Sequence, residues 1–420
     1  MKRVPPSERL KEEITELLRG KMGDDATPTE SPMAGFVRQV ARYMLQVSLE
    51  DEATAFLGRD HYRRGVRARA GWRNGYEPKR VQSEAGVLEL AVPQVRATAE
   101  PFRPVLAERL GSRTADFDDL VRGMYVRGLS TQDVSALYGE TVGSRVSKST
   151  VSRITQRLSQ DFEAWRRRDL SELPVVYLFL DGQYHAARQG TDEKEGVLAA
   201  YALLEDGRSV LVHLDLGPRE SADAWLSFLQ DVVARGLREP LLVILDGAPG
   251  LLKAVKRIWP RAYRQRCQVH KMRNILAKLP RRMQAAMKRL VHQVFRASSH
   301  AVALKRGRDL IARFRDRYPA ALECLERDLE ECITYLRFPA IHHVRIRTTN
   351  RLERLNGEGR RRTKVIPRFP SERACLSLLY ASLITASKHW RGIPMTAAAL
   401  RQLHHLREAI VSPSKEGAVA

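Results

Sequence analysis

The sequence predicts a mixed α/β protein, with a central sheet of antiparallel and parallel strands and mostly helical segments before it and within it. Three observations lead to this prediction. Apolar runs of strand length, bounded by turn residues, recur between Leu173 and about residue 275. Amphipathic helical patterns alternate with the later strands. Helical patterns dominate the chain before residue 170 and again between residues 276 and 345.

The order of these elements narrows the fold class. The runs PVVYLFLDG, GVLAAYALLEDG and SVLVHLDLG are typical of three consecutive strands, and Glu205-Asp206-Gly207 turns the second into the third. SADAWLSFLQDVVARG follows as a helix, LLVILDG as a strand, APGLLKAVKRIWP as a helix and YRQRCQVHK as a fifth short strand. Three antiparallel strands followed by a helix, a parallel strand and a helix predict an α+β or α/β core of the ribonuclease H-like kind.

The same patterns divide the chain into six predicted segments. A basic N-terminal region, helical with a short β segment, precedes a helix-turn-helix domain and the core. Three helices, which we expect to form an all-α insertion, interrupt the core before its last helices. The predicted bounds are 1–110 for the basic region, 111–170 for the helix-turn-helix domain, 171–275 for the first part of the core, 276–345 for the insertion, 346–405 for the C-terminal helices of the core and 406–420 for a disordered tail.

Charge points to a polyanionic partner. The 420 residues include 72 Lys and Arg against 49 Asp and Glu, which gives a formal net charge of +23. Cations placed near phosphates release condensed counterions, so this excess favours nucleic acid. The N-terminus has no apolar signal region, no apolar run reaches the ~20 residues of a membrane helix, and no Cys-x-x-Cys pair occurs. These features predict a cytoplasmic, nucleoid-associated protein without a membrane partner.

The helix-turn-helix pattern carries the first set of candidate DNA-binding residues. Ser130 and Ser147 are predicted to begin its two helices as N-caps, with Asp133 completing a capping box. The second helix places Val151, Ile154 and Leu158 on an apolar stripe. Its opposite face carries side chains that can reach phosphates and base edges in a major groove, the alternative being a helical hairpin that only packs on its neighbour. The candidates on this face are Lys148, Ser149, Arg153, Gln156 and Arg157.

Three acidic residues are the candidate catalytic and metal-binding residues. Asp181 ends the run PVVYLFL, Asp246 ends LLVIL, and Glu353 lies in the basic helical stretch TTNRLERLNGEGRRRTK. Strands that are apolar on both faces belong inside a covered sheet, and ligand groups project from their ends. Carboxylates there would suit Mg²⁺ or Mn²⁺, and two such ions ~3.5–4 Å apart can promote an in-line displacement. Asp181 is the expected bridging ligand.

Spacing alone leaves the third carboxylate open. Glu205, Glu220 and Glu358 compete with Glu353 for this role. A single Asp-Gly pair is also more often a turn than a ligand site, so the pairing of two Asp-Gly steps after buried strands matters more than either one.

Other chemistries find little support. Cys267 and His270 form a Cys-x-x-His pair, but two ligands make no structural zinc site, so we expect a buried core cysteine and a structural histidine, the alternative being a histidine that helps to orient the site. The chain has no Gly-x-Ser-x-Gly elbow for hydrolase chemistry and no Gly-x-x-x-x-Gly-Lys-Ser/Thr loop for ATP.

Six sequence motifs, taken in their order along the chain, resemble those of the bacterial insertion-sequence transposases of the Mutator-like family. The motifs that carry the resemblance are WRNGY, LDGQY, LGPRESADAWLSFL, LVILDGAPGLLKAV, RCQVHKMRNIL and IRTTNRLERLNGEGRRRTKVIPRFP. The resemblance implies an Asp-Asp-Glu triad at Asp181, Asp246 and Glu353, with Cys267 and His270 matching the family's Cys-x-x-His signature. It also implies the ribonuclease H-like core, the helical insertion and N-terminal recognition of terminal inverted repeats.

The resemblance implies a function and its partners. We expect a DDE transposase with two Mg²⁺ or Mn²⁺ ions that cuts the ends of its element and joins them to target DNA as a homo-oligomer. The alternatives are a non-catalytic repressor derived from a transposase and a structure-specific nuclease. The candidates for holding the flanking DNA backbone are Arg345, Arg347, Arg360, Arg361, Arg362 and Lys364, the alternative for the Arg360–Arg362 run being a solvated helix face.

Overall fold

A computed structural model describes residues 4–19, 32–60, 71–142, 145–185, 195–217, 221–350, 357, 359, 361–362, 372–387 and 392–411. The chain divides into two compact units, residues 1–157 and 158–420. The predicted candidates Glu353, Arg360 and Lys364, and the competing Glu220 and Glu358, lie outside the described residues. The finer division into six segments stays a prediction.

The first unit begins with two helices and a hairpin. Helices α1 (Pro6–Leu18) and α2 (Pro32–Leu57) precede strands β1 (Trp72–Ser83) and β2 (Gly86–Arg96), which pair antiparallel. Leu49 of α2 is buried against β2, and the Gln46 side chain exchanges two hydrogen bonds of 2.8 Å with the backbone of Ala91. The sequence predicted only the second strand, because β1 is mostly exposed and polar and gains its structure from pairing with β2.

Four helices complete the first unit, and two of them begin directly after the predicted caps Ser130 and Ser147. The Ser130 hydroxyl accepts from Asp133 N while Asp133 accepts from Ser130 N, both at 3.1 Å, and Ser147 accepts from Thr150 N at 3.1 Å. Phe117, Tyr138 and Val151 are among the side chains that pack into one core between the helices. The helices are α3 (Val105–Leu110), α4 (Ala115–Val126), α5 (Thr131–Val142) and α6 (Lys148–Arg166), the last of which continues past residue 157.

The second unit contains a five-stranded mixed sheet with the predicted order of strands and helices. Strands pair in the order β5-β4-β3-β6-β7, antiparallel among β3, β4 and β5 and parallel from β3 to β6 and β7. Helix α7 lies between β5 and β6 in the chain, and helix α8 between β6 and β7. The bounds are β3 (Val175–His185), β4 (Glu195–Leu204), β5 (Ser209–Gly217), α7 (Ala222–Ala234), β6 (Leu242–Leu245), α8 (Pro249–Ile258) and β7 (Tyr263–Arg266).

Both faces of this sheet are covered. Leu180 and Leu245 contribute to a core that also contains Trp225 of α7 and Val255 of α8. Side chains alternate along a strand, so residues one position away lie on the other face. On that face the Tyr177 hydroxyl lies 2.7 Å from His342 Nδ1, and its ring meets Phe338 edge-on. The sequence prediction of strands that are apolar on both faces is therefore confirmed.

Helices follow β7, as predicted, but the third predicted insertion helix is broken. Asp328 adopts φ −125° and ψ 21°, which ends one helix before the next begins at Leu329. The Asp328 carboxylate is held by buried cations, described below, and this long-range contact outweighs the local helical pattern. The bounds are α9 (Gln268–Leu276), α10 (Arg281–Phe295), α11 (His300–Phe314), α12 (Pro319–Arg327), α13 (Leu329–Ile333) and α14 (His343–Ile346).

Two further helices close the described part of the second unit, α15 (Glu372–Ser387) and α16 (Ala397–Val411). Residues 406–411, predicted to start a disordered tail, are therefore helical. Two guanidinium hydrogen bonds from Arg407 tie this helix to the sheet region, at 3.2 Å to Val175 O and 3.4 Å to Glu239 O. Residues 412–420 lie outside the described residues.

Candidate active site

Two aspartates occupy matching positions on neighbouring parallel strands. Leu180 of β3 pairs with Leu245 of β6, and each is followed directly by an aspartate. Continuing this register by one residue sets Asp181 opposite Asp246 on the same face of the sheet, with the strands ~4.8 Å apart. The prediction that each aspartate ends its strand is right only for Asp246, because β3 continues through Asp181 to His185 in its pairing with β4.

Cys267, which follows a third strand, lies at the position that matches Asp181 and Asp246 on their strands, and the three residues form one row across the sheet. Leu245 pairs with Arg266 of β7, so Cys267 follows Arg266 as Asp246 follows Leu245. The Cys267 N–H donates to Leu245 O at 2.8 Å, which continues the ladder to this residue. The predicted Cys-x-x-His signature therefore begins beside the second aspartate, and helix α9 starts immediately after it.

The chain that leads towards Glu353 is attached to this row. Thr349 is fully buried and donates to Cys267 Sγ from its backbone N–H at 3.4 Å and from its hydroxyl at 3.3 Å. One residue further on, the Gln268 N–H donates to Arg347 O at 3.2 Å. Residues 347–349 therefore pass along the carboxyl end of the parallel strand pairing, where the aspartates lie.

Cys267 behaves as a buried structural thiol, as predicted, with an unusual environment. Burial raises the pKa of the Cys267 thiol, but hydrogen bonds to the sulfur from His270 and Thr349 outweigh burial, so the net pKa is lowered. The sulfur is fully buried and His270 is half-buried. The pair therefore joins α9 to the 347–349 segment.

The turn after Asp246 is built around a glycine. Asp246 Oδ1 accepts a hydrogen bond from Ala248 N at 2.9 Å, which fixes the direction of the carboxylate. Gly247 lies between them with φ +82°, a conformation that favours glycine. A Cβ at this position would come within 1.7 Å of Arg266 Nη1, so the Arg266 guanidinium packs directly on the Gly247 backbone.

Behind this turn lies a cluster of buried charges that the sequence analysis missed. Lys271 and Arg266 are 2% and 5% exposed, and both pair with Asp328, at 2.5 Å and 3.4 Å. Two cations share one carboxylate, so the cluster carries a net positive charge. It lies beside Asp246 in the fold, where positive charge offsets repulsion between neighbouring carboxylates. No local pattern could have predicted it, since Asp328 lies 57 residues beyond Lys271.

The two aspartates suit a hard divalent cation. Mg²⁺ prefers oxygen ligands and is usually held by one or two carboxylates together with substrate phosphates. Within the described ranges, no group of three or more His, Cys, Asp or Glu side chains is arranged to hold a metal. Asp181 is 4% exposed and Asp246 is half-buried, so the oxygen donors lie in a partly desolvated position.

Comparison with known proteins decides the family. Residues 13–392 match the transposase family described as "Transposase, Mutator family". The chain belongs to the Mutator family of transposases. It is an insertion sequence transposase, and this membership implies DNA as its substrate and the cleavage and transfer of DNA strands as its activity.

Individual relatives agree with this assignment. The chain is 34% identical over 355 residues to the transposase for insertion sequence element ISRM5 of Rhizobium meliloti, covering 84% of this chain and 88% of the relative. It is 30% identical over 386 residues to the transposase for IS256 in transposon Tn4001 of Staphylococcus aureus, covering 90% and 94%. A Drosophila P element transposase strand transfer complex covers 73% of this chain and 94% of that chain at 12% identity, with a TM-score of 0.29, too weak to support a shared fold.

The predicted DNA-binding residues of this transposase fall into two groups. Lys148, Ser149, Arg153, Gln156 and Arg157 are all exposed, whereas Val151, Ile154 and Leu158 of the same helix are buried, so the predicted faces of α6 are confirmed. Of the second group, Arg361 is exposed and Arg362 half-buried. None of the helices in the described ranges is long and apolar enough to cross a membrane.

Proposed function

We propose that this transposase cuts and joins DNA with a divalent-metal site formed by Asp181, Asp246 and Glu353 in a ribonuclease H-like core. The observation that carries the proposal is the matching position of the two aspartates on the parallel strands β3 and β6. The sheet order, with three antiparallel strands followed by two parallel ones, supports the assignment of the core.

The path of the chain supports Glu353 as the third carboxylate. Thr349 is bonded to Cys267, which continues the row of Asp181 and Asp246. Glu353 follows four residues later, and four residues of chain reach at most ~14 Å. Of the competing glutamates, Glu205 lies in the turn between β4 and β5, six residues along the chain from Ala199, which pairs with Asp181 in the middle of β4.

The chemistry proposed is two successive displacements at phosphorus. Water attacks a phosphodiester at the end of the element and breaks its P–O3′ bond, releasing a 3′-hydroxyl. That hydroxyl then attacks a target phosphodiester, forming one P–O bond as another breaks. Two Mg²⁺ or Mn²⁺ ions held by the carboxylates would supply charge stabilisation for the attacking and leaving oxygens. Asp181 and Asp246 would be two of the residues that hold the ions, and a hydrogen bond from Ala248 N orients the Asp246 carboxylate.

Recognition of the terminal inverted repeats is proposed for the helix-turn-helix, with α6 in a major groove. Its exposed face carries the cations Lys148, Arg153 and Arg157 beside polar side chains that can read base edges. Arg360, Arg361, Arg362 and Lys364 would hold flanking DNA near Glu353. We further propose that the protein binds both ends of its element as a homo-oligomer, and that it does so in the cytoplasm, associated with the nucleoid.

A strand-cleavage assay tests the catalytic proposal. Wild-type protein is incubated with Mg²⁺ and a labelled duplex that carries the terminus of its own element. We expect cleavage by the wild type and by Asp223→Asn, a control that changes an exposed aspartate of α7. Asp181→Asn and Asp246→Asn should bind the duplex without cutting it. Binding without cleavage by the wild type, with both element ends supplied, would support the repressor instead.

The salt dependence of binding tests the proposed recognition helix. Each phosphate contact contributes about −0.9 to the slope of log K against log salt concentration on duplex DNA. Arg153→Gln should therefore flatten the slope by about 0.9 if Arg153 contacts one phosphate. Arg80→Gln is the control, because Arg80 is exposed and paired with Glu89 on the hairpin. An unchanged slope in Arg153→Gln would remove this residue from the interface.

A further inference from the structure

A basic cleft lies between α9, α10 and the segment 344–350, with a volume of about 620 Å³. One stripe of α9 lines it with the apolar residues Val269, Met272 and Leu276, spaced three and four residues apart. Lys288 and His292 of α10, and Arg296 directly after that helix, form a second stripe at four-residue spacing. Val344, Arg345 and Arg347 line the cleft from the segment 344–350.

Among the residues that the structure describes, no carboxylate pairs with the cations of the basic cleft. Lys288, Arg296 and Arg345 are exposed, and across the described ranges none of them forms an ion pair. No Asp or Glu is among the described residues that line the cleft. The pKa of His292 is lowered, first by burial and then by the charges of Arg296, Lys288 and Arg347. An anion bound there would meet several positive charges that no carboxylate within the described ranges offsets, so the cleft favours an anionic ligand.

The position of the cleft identifies which anion reaches it. Gln268 lines the cleft and directly follows Cys267, the residue that continues the row of Asp181 and Asp246. Arg347 also lines the cleft, and its carbonyl accepts a hydrogen bond from the Gln268 N–H at 3.2 Å. The cleft therefore opens one residue away from the sheet edge that carries the aspartates, where the DNA substrate must lie.

We propose that the basic cleft binds unpaired nucleotides of the DNA strand beside the phosphodiester that is cut. This rests on the proposed function. The cations hold the phosphates, and a base packs on the apolar side chains of α9 and on Val344. Within a duplex the base faces are stacked, so these apolar side chains would gain nothing from an intact double helix, whereas an unpaired base can bury a face. The volume lies in the ~300–1,000 Å³ range of pockets that bind small molecules and cofactors.

The first test measures binding of the full-length protein in EDTA, so that cleavage plays no part. The probes are a labelled oligothymidine of about eight residues, within the site size of single-strand-binding proteins, and a blunt duplex of arbitrary sequence. Lys288→Gln and Arg296→Gln should each weaken oligothymidine binding several-fold and flatten its salt slope by about 0.7, the value for one phosphate of a single strand. Arg289→Gln, at the next position on α10 and outside the cleft, should match the wild type.

The second test separates base contacts from phosphate contacts. Val344 is 65% exposed, so Val344→Ser should fold, weaken oligothymidine binding and leave its salt slope unchanged. Ile341→Ser is the control, since Ile341 is 50% exposed and does not line the cleft. If Lys288→Gln and Arg296→Gln lose as much affinity for the duplex as for oligothymidine, the proposal is overturned in favour of general contact with the DNA backbone. The proposal would also be overturned if every variant bound oligothymidine as tightly as the wild type does.

These outcomes stand apart from the catalytic proposal. If the wild type cleaves the element end while the cleft variants bind single strands normally, only the cleft proposal fails. If the wild type does not cleave but the cleft variants lose single-strand binding, only the catalytic proposal fails.

Discussion

Thr349 donates both its backbone N–H and its hydroxyl to the sulfur of Cys267, at 3.4 and 3.3 Å, and both residues are fully buried. These residues lie 82 positions apart, on either side of the helices between β7 and residue 347. The contact brings the chain back to the carboxyl end of the parallel strands four residues before Glu353. Cys267 therefore serves the proposed site by positioning the chain, without contacting the reacting atoms.

Thr349→Val tests this role, since it keeps the shape of the side chain and removes the hydroxyl donor. We expect a loss of ~1 kcal/mol in unfolding free energy. If the segment carrying Glu353 shifts, cleavage should fall by about 10²-fold, because small misplacements of catalytic groups cost that much. DNA binding should be unaffected. Thr385→Val is the matched control, since Thr385 donates only to Ala381 O within its own helix. Wild-type cleavage by Thr349→Val would remove the positioning role.

Gly247→Ala should be more harmful than Gly75→Ala, although the two glycines have nearly the same backbone conformation. Their φ values are +82° and +83°, so both substitutions carry a left-handed strain of ~1–2 kcal/mol. At Gly75 an added Cβ meets no atom within 4 Å, whereas at Gly247 it meets the Arg266 guanidinium. Urea denaturation should show the larger loss for Gly247→Ala, and only this variant should lose cleavage. Equal losses would mean that Arg266 moves aside freely.

Asp328→Asn should destabilise the second unit strongly. It leaves Lys271 and Arg266 as buried charges without a carboxylate, a change that typically costs ~3–5 kcal/mol. Glu326→Gln, which breaks an exposed pair with Arg315, should cost no more than ~1 kcal/mol. Adding Lys271→Met to Asp328→Asn should recover part of the loss by removing one unpaired cation. Thermal unfolding of the four proteins checks this order, and a lack of recovery would contradict the shared-carboxylate account.

His213 should make the protein less stable in mild acid. Burial, followed by the charges of Arg235, Arg166 and Arg168, lowers the pKa of His213 from 6.5 to about 2, and these effects outweigh the Asp231 carboxylate 3.3 Å from its Nε2. Below pH 6.5 His213 is therefore protonated in the unfolded chain but stays neutral in the folded protein. The free energy of unfolding falls progressively as the pH is lowered. By linkage this amounts to roughly 2 kcal/mol between pH 7 and pH 5.

His213→Phe provides the comparison, since it keeps an aromatic ring against Phe228, whose centroid is 4.5 Å away. Urea midpoints at pH 7 and pH 5 should show a smaller acid loss in the variant than in the wild type. Identical acid losses would show that His213 is not the group responsible.

The sequence by itself determined the features that depend on neighbours along the chain. The capping box of Ser130 and Asp133, the buried and exposed faces of α6 and the turn at Gly207 follow from local hydrogen bonds and helical or strand periodicity. The order of strands and helices along the chain in the core also followed, because long apolar runs are typical of buried strands. Two of the three candidate carboxylates were found as the residues that follow such runs.

Only the tertiary structure decided which distant groups meet. It extended β3 past Asp181 through pairing with β4, formed the exposed strand β1 against β2, and broke a helix at Asp328 to hold Lys271 and Arg266. It also brought the cations of α10 opposite the apolar stripe of α9. The physical reason is that a sequence pattern reports the preference of a segment for a conformation and for burial, whereas a salt bridge, a cleft or a strand register depends on a partner many residues away.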